Sequence, residues 1–286
     1  MSTALPPTAP ARANFVLHGA PSASARQRLA ALDLREGLGL WRLFLTLGWL
    51  DIRLRYRGSV LGPFWLTLST GVMVAALGVL YSALFKMDLP DYLPFLAVSL
   101  VLWGFVSSVV AEGCACFTQS EGMIRSVRMP FTVHAARVLV RNLLVLAHNV
   151  LVIIVVYAVF DRWPGTAATL VLPGLALWVA DALAISVLLG ALCARFRDIA
   201  PIVGSVMNIA FFISPIIWKP ELLTAEQASW LPFNPFYTLL EIVRAPMLGT
   251  GADWHIWVSA LAFSAALCGV TWGAFVRVRS RLSFWV

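Results

Sequence analysis

Four ionisable side chains interrupt otherwise apolar runs, and they mark where this 286-residue sequence has the means for chemistry: Glu112, Arg141, His148 and Asp181. Such groups are costly in a low-dielectric layer unless paired, and a file of them can pass protons. Asp181 stands at a depth similar to His148 and Asn149, whereas Glu112 and Arg141 both lie nearer one end of their runs. Contacts of Asp181 with His148 or Asn149, and of Glu112 with Arg141, are therefore expected. Packing glue is preferred to a proton relay, because no chain of acids continues across the apolar layer. Hydrolytic chemistry has no visible vehicle: GxxxxGKS/T, HExxH and GxSxG motifs are all missing. A metal site is rejected too. Cys114, Cys116, Cys193 and Cys268 lie in or beside apolar runs, Cys114 and Cys116 point about 200° apart on a helix, and no histidine cluster completes a tetrahedral set. The cysteines read as buried thiols.

The elements that hold these groups follow from composition. Hydrophobic residues make up 60% of the chain and charged residues 12%, against roughly 25% charged in soluble domains. Mean hydropathy is +0.84. The expected fold is an all-α integral membrane protein with six transmembrane helices: Gly62 to Phe85, Tyr92 to Phe117, Val138 to Phe160, Thr166 to Ala194, Ile199 to Trp218 and Trp254 to Val276. Residues 1–35 read as a flexible cytoplasmic tail, with a short docked helix weakly signalled from about Leu34. Residues 36–61 form an amphipathic helix and turn, 62–276 the transmembrane domain, and 277–286 a second cytoplasmic tail. A net charge of +7 points to orientation in a bilayer rather than to nucleic acid. With the N-terminus inside, only Lys86, Arg162, Lys219 and Arg244 of the 21 basic residues fall outside, so both termini are read as cytoplasmic.

Three connecting segments carry further information. On a helix from Trp41 to Arg57, Trp41, Leu45, Trp49, Ile52 and Tyr56 share one face, Arg42, Thr46, Arg53 and Arg57 form a polar stripe, and Asp51 pairs with Arg55. This segment, ending in the turn GSVLGP, anchors the chain at the surface or transmits motion. The inner loop from Gln119 to Arg137 contains one or two helical turns with Met123, Ile124 and Val127 on one side, either a docking element or a plain connection. The outer segment 219–253, broken by four prolines, reads as two short re-entrant helices anchored by Trp230, Phe233, Phe236 and Tyr237. In it Asn234 caps a helix beginning at Pro235, and Glu241 pairs with Arg244.

Together, RYRGSVLGPFWL, DYLPFLAVSLVLWGF, MIRSVRMP, RFRDIAPIV, ISPIIW and LPFNPFYTLLEIVRAP, in that order from about Leu40 onward, resemble the permease subunit of ABC-2 type polysaccharide exporters. The resemblance implies a homodimer in the bacterial inner membrane, driven by two cytosolic ATPase subunits that bind ATP and Mg, and moving an undecaprenyl-linked glycan such as O-antigen, capsule or teichoic acid. It makes Trp41 to Tyr56 an interface helix, with Arg42, Arg53, Arg55 and Arg57 at the cytoplasmic surface. It makes Glu121, Gly122, Met123, Ile124, Arg125, Ser126, Val127 and Arg128 the helix that receives motion from the ATPase, with Arg195, Arg197 and Asp198 nearby. Sugars pack their C–H faces on aromatic rings, so Trp65, Tyr81, Phe85, Trp103, Phe105, Phe211, Phe212 and Trp218 are candidates for the path, Trp103 and Tyr81 above the others. Their alternative role is a lipid-facing aromatic belt. A drug or small-lipid exporter of the same superfamily and a membrane enzyme of envelope biosynthesis are the competing functions.

Overall fold

The computed structural model describes residues 22–59, 62 and 64–286. The expectations for residues 1–21 and for Val60, Leu61 and Pro63 in the turn fall outside the described residues. Every regular element among the described residues is helical.

Ser22 opens α1, Ala23–Gly39, its hydroxyl accepting the Ala25 N–H at 3.2 Å. Residues 23–35 are thus helical, which corrects the expected flexible tail. The cause is a stripe of small or acidic residues, Ala30, Asp33 and Gly37, that is buried against the rest of the molecule. The Asp33 carboxylate accepts the Phe131 and Thr132 N–H groups at 3.2 and 3.1 Å and the Thr132 hydroxyl at 2.9 Å, and pairs with Arg279 at 2.9 Å. Unpaired N–H groups and the dipole at a helix start favour negative charge, so one helix here caps another.

A break at Leu40 leads into α2, Trp41–Arg55. Then follow α3, Phe64–Phe85; α4, Leu89–Cys114; α5, Glu121–Ser126; α6, Phe131–Phe160; α7, Val171–Arg195; α8, Ile199–Ile213; α9, Ala225–Ala228; α10, Pro235–Met247; and α11, Trp254–Trp285. Five of them, α3, α4, α6, α7 with the turn before it, and α11, are long and apolar enough to cross a membrane. The chain is a multi-pass membrane protein. Its central helix is α4, buried along most of its length between α3, α6, α7, α8 and α10.

The sixth expected span is shorter than its apolar run. α8 stops at Ile213, because Pro215 forces Ser214 into extended backbone (φ −84°, ψ 145°), and Ser214 to Trp218 continue without helix. Two other boundaries move the opposite way. α6 begins at Phe131, seven residues before the expected Val138: His134 and Arg137 depress hydropathy there without breaking the helix. α11 runs on to Trp285, so residues 277–285 are helix rather than tail, with Leu282 fully buried.

α2 lies against α6 through Gly48, where an added Cβ would stand 2.7 Å from Val140 Cγ1 and 2.9 Å from Val140 Cβ. Gly48→Ala therefore overpacks this seam and should cost about 1–3 kcal/mol. The expected result is a lower thermal unfolding midpoint for the purified protein, partly regained when Val140→Ala is added in the same chain.

Candidate functional site

At the basic end, α2 is fixed to the spans by charge. Asp51 accepts Arg137 Nε at 2.7 Å and Arg141 Nη1 at 3.1 Å, and Glu112 accepts Arg141 Nε at 2.8 Å, Arg55 Nη2 at 3.0 Å and Asn142 Nδ2 at 2.7 Å. The expected Glu112–Arg141 contact is therefore present. The expected pairing of Asp51 with Arg55 is not: Asp51 turns inward to α6, and Arg55 reaches past it to α4. Charged side chains at a buried seam gain more from a desolvated partner on another helix than from a solvated neighbour four residues away.

The faces of α2 follow from this. Gly48 and Ile52 pack inward, while Trp41, Leu45 and Trp49 face outward with Arg42, Arg53 and Arg57. Ile52 thus leaves the aromatic face assigned to it. The Arg42 guanidinium lies 5.2 Å from the Trp41 ring centroid. Half-burial raises the pKa of the Tyr56 hydroxyl above its ordinary value, although Arg55 works against that.

Beside this network, α5 closes the loop between α4 and α6. Glu121 pairs with Arg125 at 2.9 Å, and Arg125 Nη2 donates to the Val286 carbonyl at 2.9 Å. The helix ends at Ser126, so Val127 and Arg128 are exposed extended chain rather than its last turn, and Ile124 packs inward near Phe117 and Leu282. The outward surface is Gly122, Arg125, Ser126, Val127 and Arg128. Arg195, the last residue of α7, and Arg197 and Asp198 in the turn that follows are exposed, with the Arg195 guanidinium 5.6 Å from the Trp285 ring centroid. Burial pushes the Cys116 thiol up, and it donates to the Ser186 carbonyl at 3.3 Å. Cys268 is exposed on α11, a correction to four buried thiols.

Mid-span, Asp181 does not meet His148 or Asn149. Ser264 Oγ on α11 donates to Asp181 Oδ2 at 2.7 Å, whereas His148 Nδ1 lies 2.7 Å from the Leu144 carbonyl oxygen. Similar depth did not bring them together: α7 presents Asp181 to α11, and His148 faces Ile52, Tyr56 and Leu66.

At the opposite end, side chains complete the backbone of the broken segment after α8. Tyr92 Oη donates to the Ile217 carbonyl at 2.5 Å. Arg244, 1% exposed, donates to the Pro215 carbonyl and, at 3.0 Å, to Ser99 Oγ, pairs with Glu241 as expected, and lies 4.6 Å from the Phe95 ring centroid. Asn234 caps α10, accepting the Phe236 N–H at 3.0 Å and the Tyr237 N–H at 3.3 Å, and its Nδ2 donates to Ser214 Oγ at 2.9 Å. Non-helical backbone at membrane depth requires such partners. The two expected short helices are a four-residue α9 and the 13-residue α10. Of their four proposed anchors, Trp230 and Phe233 face outward, while Phe236 is half-buried and Tyr237 buried.

The eight aromatic candidates do not form one surface. Trp103 and Phe105 are buried, Trp103 against Phe211 and Phe236 and Phe105 stacked on Trp178. Tyr81 and Phe85 stack on each other beside Tyr92. Trp218 Nε1 donates to the Phe212 carbonyl. Trp65 and Phe212 are exposed, at 55% and 69%.

A family model described as ABC-2 type transporter matches residues 42–248, from the second residue of α2 through the end of α10. An "O-antigen export system permease protein RfbA" of Myxococcus xanthus is 25% identical over 71% of this chain and 79% of its own length. Two proteins of the same description from Klebsiella pneumoniae are 22% and 23% identical over 73% of this chain and 82% of theirs.

Removing Arg141 would leave Asp51 and Glu112 short of a partner at a partly buried seam, a loss of about 3 kcal/mol. Arg141→Met should lower the unfolding midpoint sharply. Adding Glu112→Gln should recover part of it, and additive losses in the double variant would count against the network.

Proposed function

The chain belongs to the ABC-2 type transporter family, and from that premise we propose that it is the transmembrane subunit of an ATP-driven exporter of a lipid-linked polysaccharide of the O-antigen kind. The observation that carries the reading is the charge-fixed α2. An amphipathic helix with aromatics outward and Asp51 and Arg55 inward is bound to the ends of α4 and α6, so a force applied at that end reaches two spans without slack. The permease belongs to a transporter family rather than a catalytic one, and ATP and Mg belong to two cytosolic ATPase subunits. The excess of arginine at the α2 end supports an inner-membrane protein with both termini cytoplasmic. The exposed faces of α5 and of the α7–α8 turn then meet the ATPase.

The translocated molecule in this reading is an undecaprenyl-linked glycan, passing between two copies of the chain. The long exposed faces of α3 and α8, which include Trp65 and Phe212, supply apolar and aromatic surface for a second copy and for sugar rings. Trp103 and Phe105, packed inside one chain, shape that surface from behind.

The test is reconstitution with the partner ATPase in proteoliposomes. Undecaprenyl-linked glycan should stimulate ATP hydrolysis several-fold, and Val127→Asp with Arg128→Glu should weaken co-purification of the ATPase while leaving membrane insertion intact. Stimulation by small amphiphiles but by no glycan would replace this reading with drug or small-lipid export.

A further inference from the structure

Between α4, α7, α8, α10 and α11 lies a cavity of about 380 Å³ whose walls are apolar except at one point. The stacked Phe105–Trp178 pair, ring centroids 5.4 Å apart and nearly parallel, forms one wall, and Met207, Phe236 and Phe263 form others. It opens sideways, because α8 packs on α4 and only lightly on α7, and Val206, half exposed, stands at the lip.

The exception is Asp181. Its side chain is more than nine-tenths buried, Oδ2 is taken by the Ser264 hydroxyl, and Oδ1 is buried with no hydrogen-bond partner. No lysine, arginine or histidine lines the cavity among the described residues. Both states of the acid leave a demand on that space. Ionised, it needs a cation; protonated on Oδ1, it needs an acceptor. A lipid tail would fill the apolar volume and leave the demand unmet. Asp181 belongs to the cavity lining, and a well-formed apolar pocket with one such polar residue in its wall is the usual form of a small-molecule site.

We propose that this cleft binds a compact apolar molecule carrying one basic nitrogen, with the ammonium against the Asp181 carboxylate and the hydrocarbon body against Trp178 and Phe236. The neighbouring aromatic rings favour a cation as well as an apolar body. An occupant there bridges α8 to α7, α10 and α11, and so bears on a helix that otherwise packs on α4 and only lightly on α7. The site goes beyond the export function, and its test needs neither ATPase nor glycan.

Radiolabelled 1-aminoadamantane is titrated onto the full chain in lipid nanodiscs, with empty nanodiscs subtracted and 1-adamantanecarboxylate as the anionic counterpart. Saturable binding near one per chain is expected for the amine and not for the carboxylate. Asp181→Asn should weaken it about tenfold or more. Val206→Trp, which obstructs the lip without touching the core, should abolish it and serves if Asp181→Asn does not fold. Equal binding of the carboxylate, uptake that only follows the lipid, or binding unchanged in Val206→Trp would overturn the proposal.

Discussion

Asp51 and Glu112 between them accept hydrogen bonds from Arg55, Arg137, Arg141 and Asn142, and because these residues come from α2, α4 and α6 the cluster decides how the surface helix meets the membrane bundle. Buried ion clusters add little net stability compared with apolar packing of the same volume, but a missing partner is costly, so they discriminate strongly among arrangements. An apolar seam would tolerate rotation or sliding of α2 on α6. Here Gly48 brings the two helices close and Asp51, one turn on, fixes their register. α1 repeats the device through Asp33, which joins the start of α6 to the last turns of α11.

The opposite end is held by different means. There the backbone itself is interrupted, and Tyr92, Arg244 and Asn234 supply the hydrogen bonds that a continuous helix would have made internally. Among the described residues Arg244 is the least exposed large side chain with a formal charge, and it is engaged by Glu241, Ser99 and the Pro215 carbonyl. One end is thus a rigid coupling between helices, and the other a folded loop inserted among them.

The fold class and most spans were legible in the sequence because hydropathy is a sum over many residues and tolerates local exceptions. The start of α6 was hidden for the complementary reason: His134 and Arg137, three residues apart on one face, outweighed the helix in which they sit. Glu112 and Arg141 were legible as partners because both lie near the same end of their spans, where few other charges were in reach. Asp181 was not, since depth along a span says nothing about the angle at which a side chain leaves its helix, and Ser264, a hydroxyl among apolar residues, gives little signal of its own. Docking of α1 rested on Ala30, Asp33 and Gly37, three residues of one helical face that resemble an unstructured, small-residue stretch when read in line.

Helix length has a last consequence. At 1.5 Å per residue, α6 is roughly 45 Å long and α8 roughly 22 Å, against a hydrocarbon layer about 30 Å thick. A span this short is matched either by local thinning of the bilayer or by association with a second chain, and α8, with Ile202, Ile209 and Ile213 facing outward, is where that adjustment falls. A molecule with a polar end and an apolar end would meet its lowest barrier to crossing along that side.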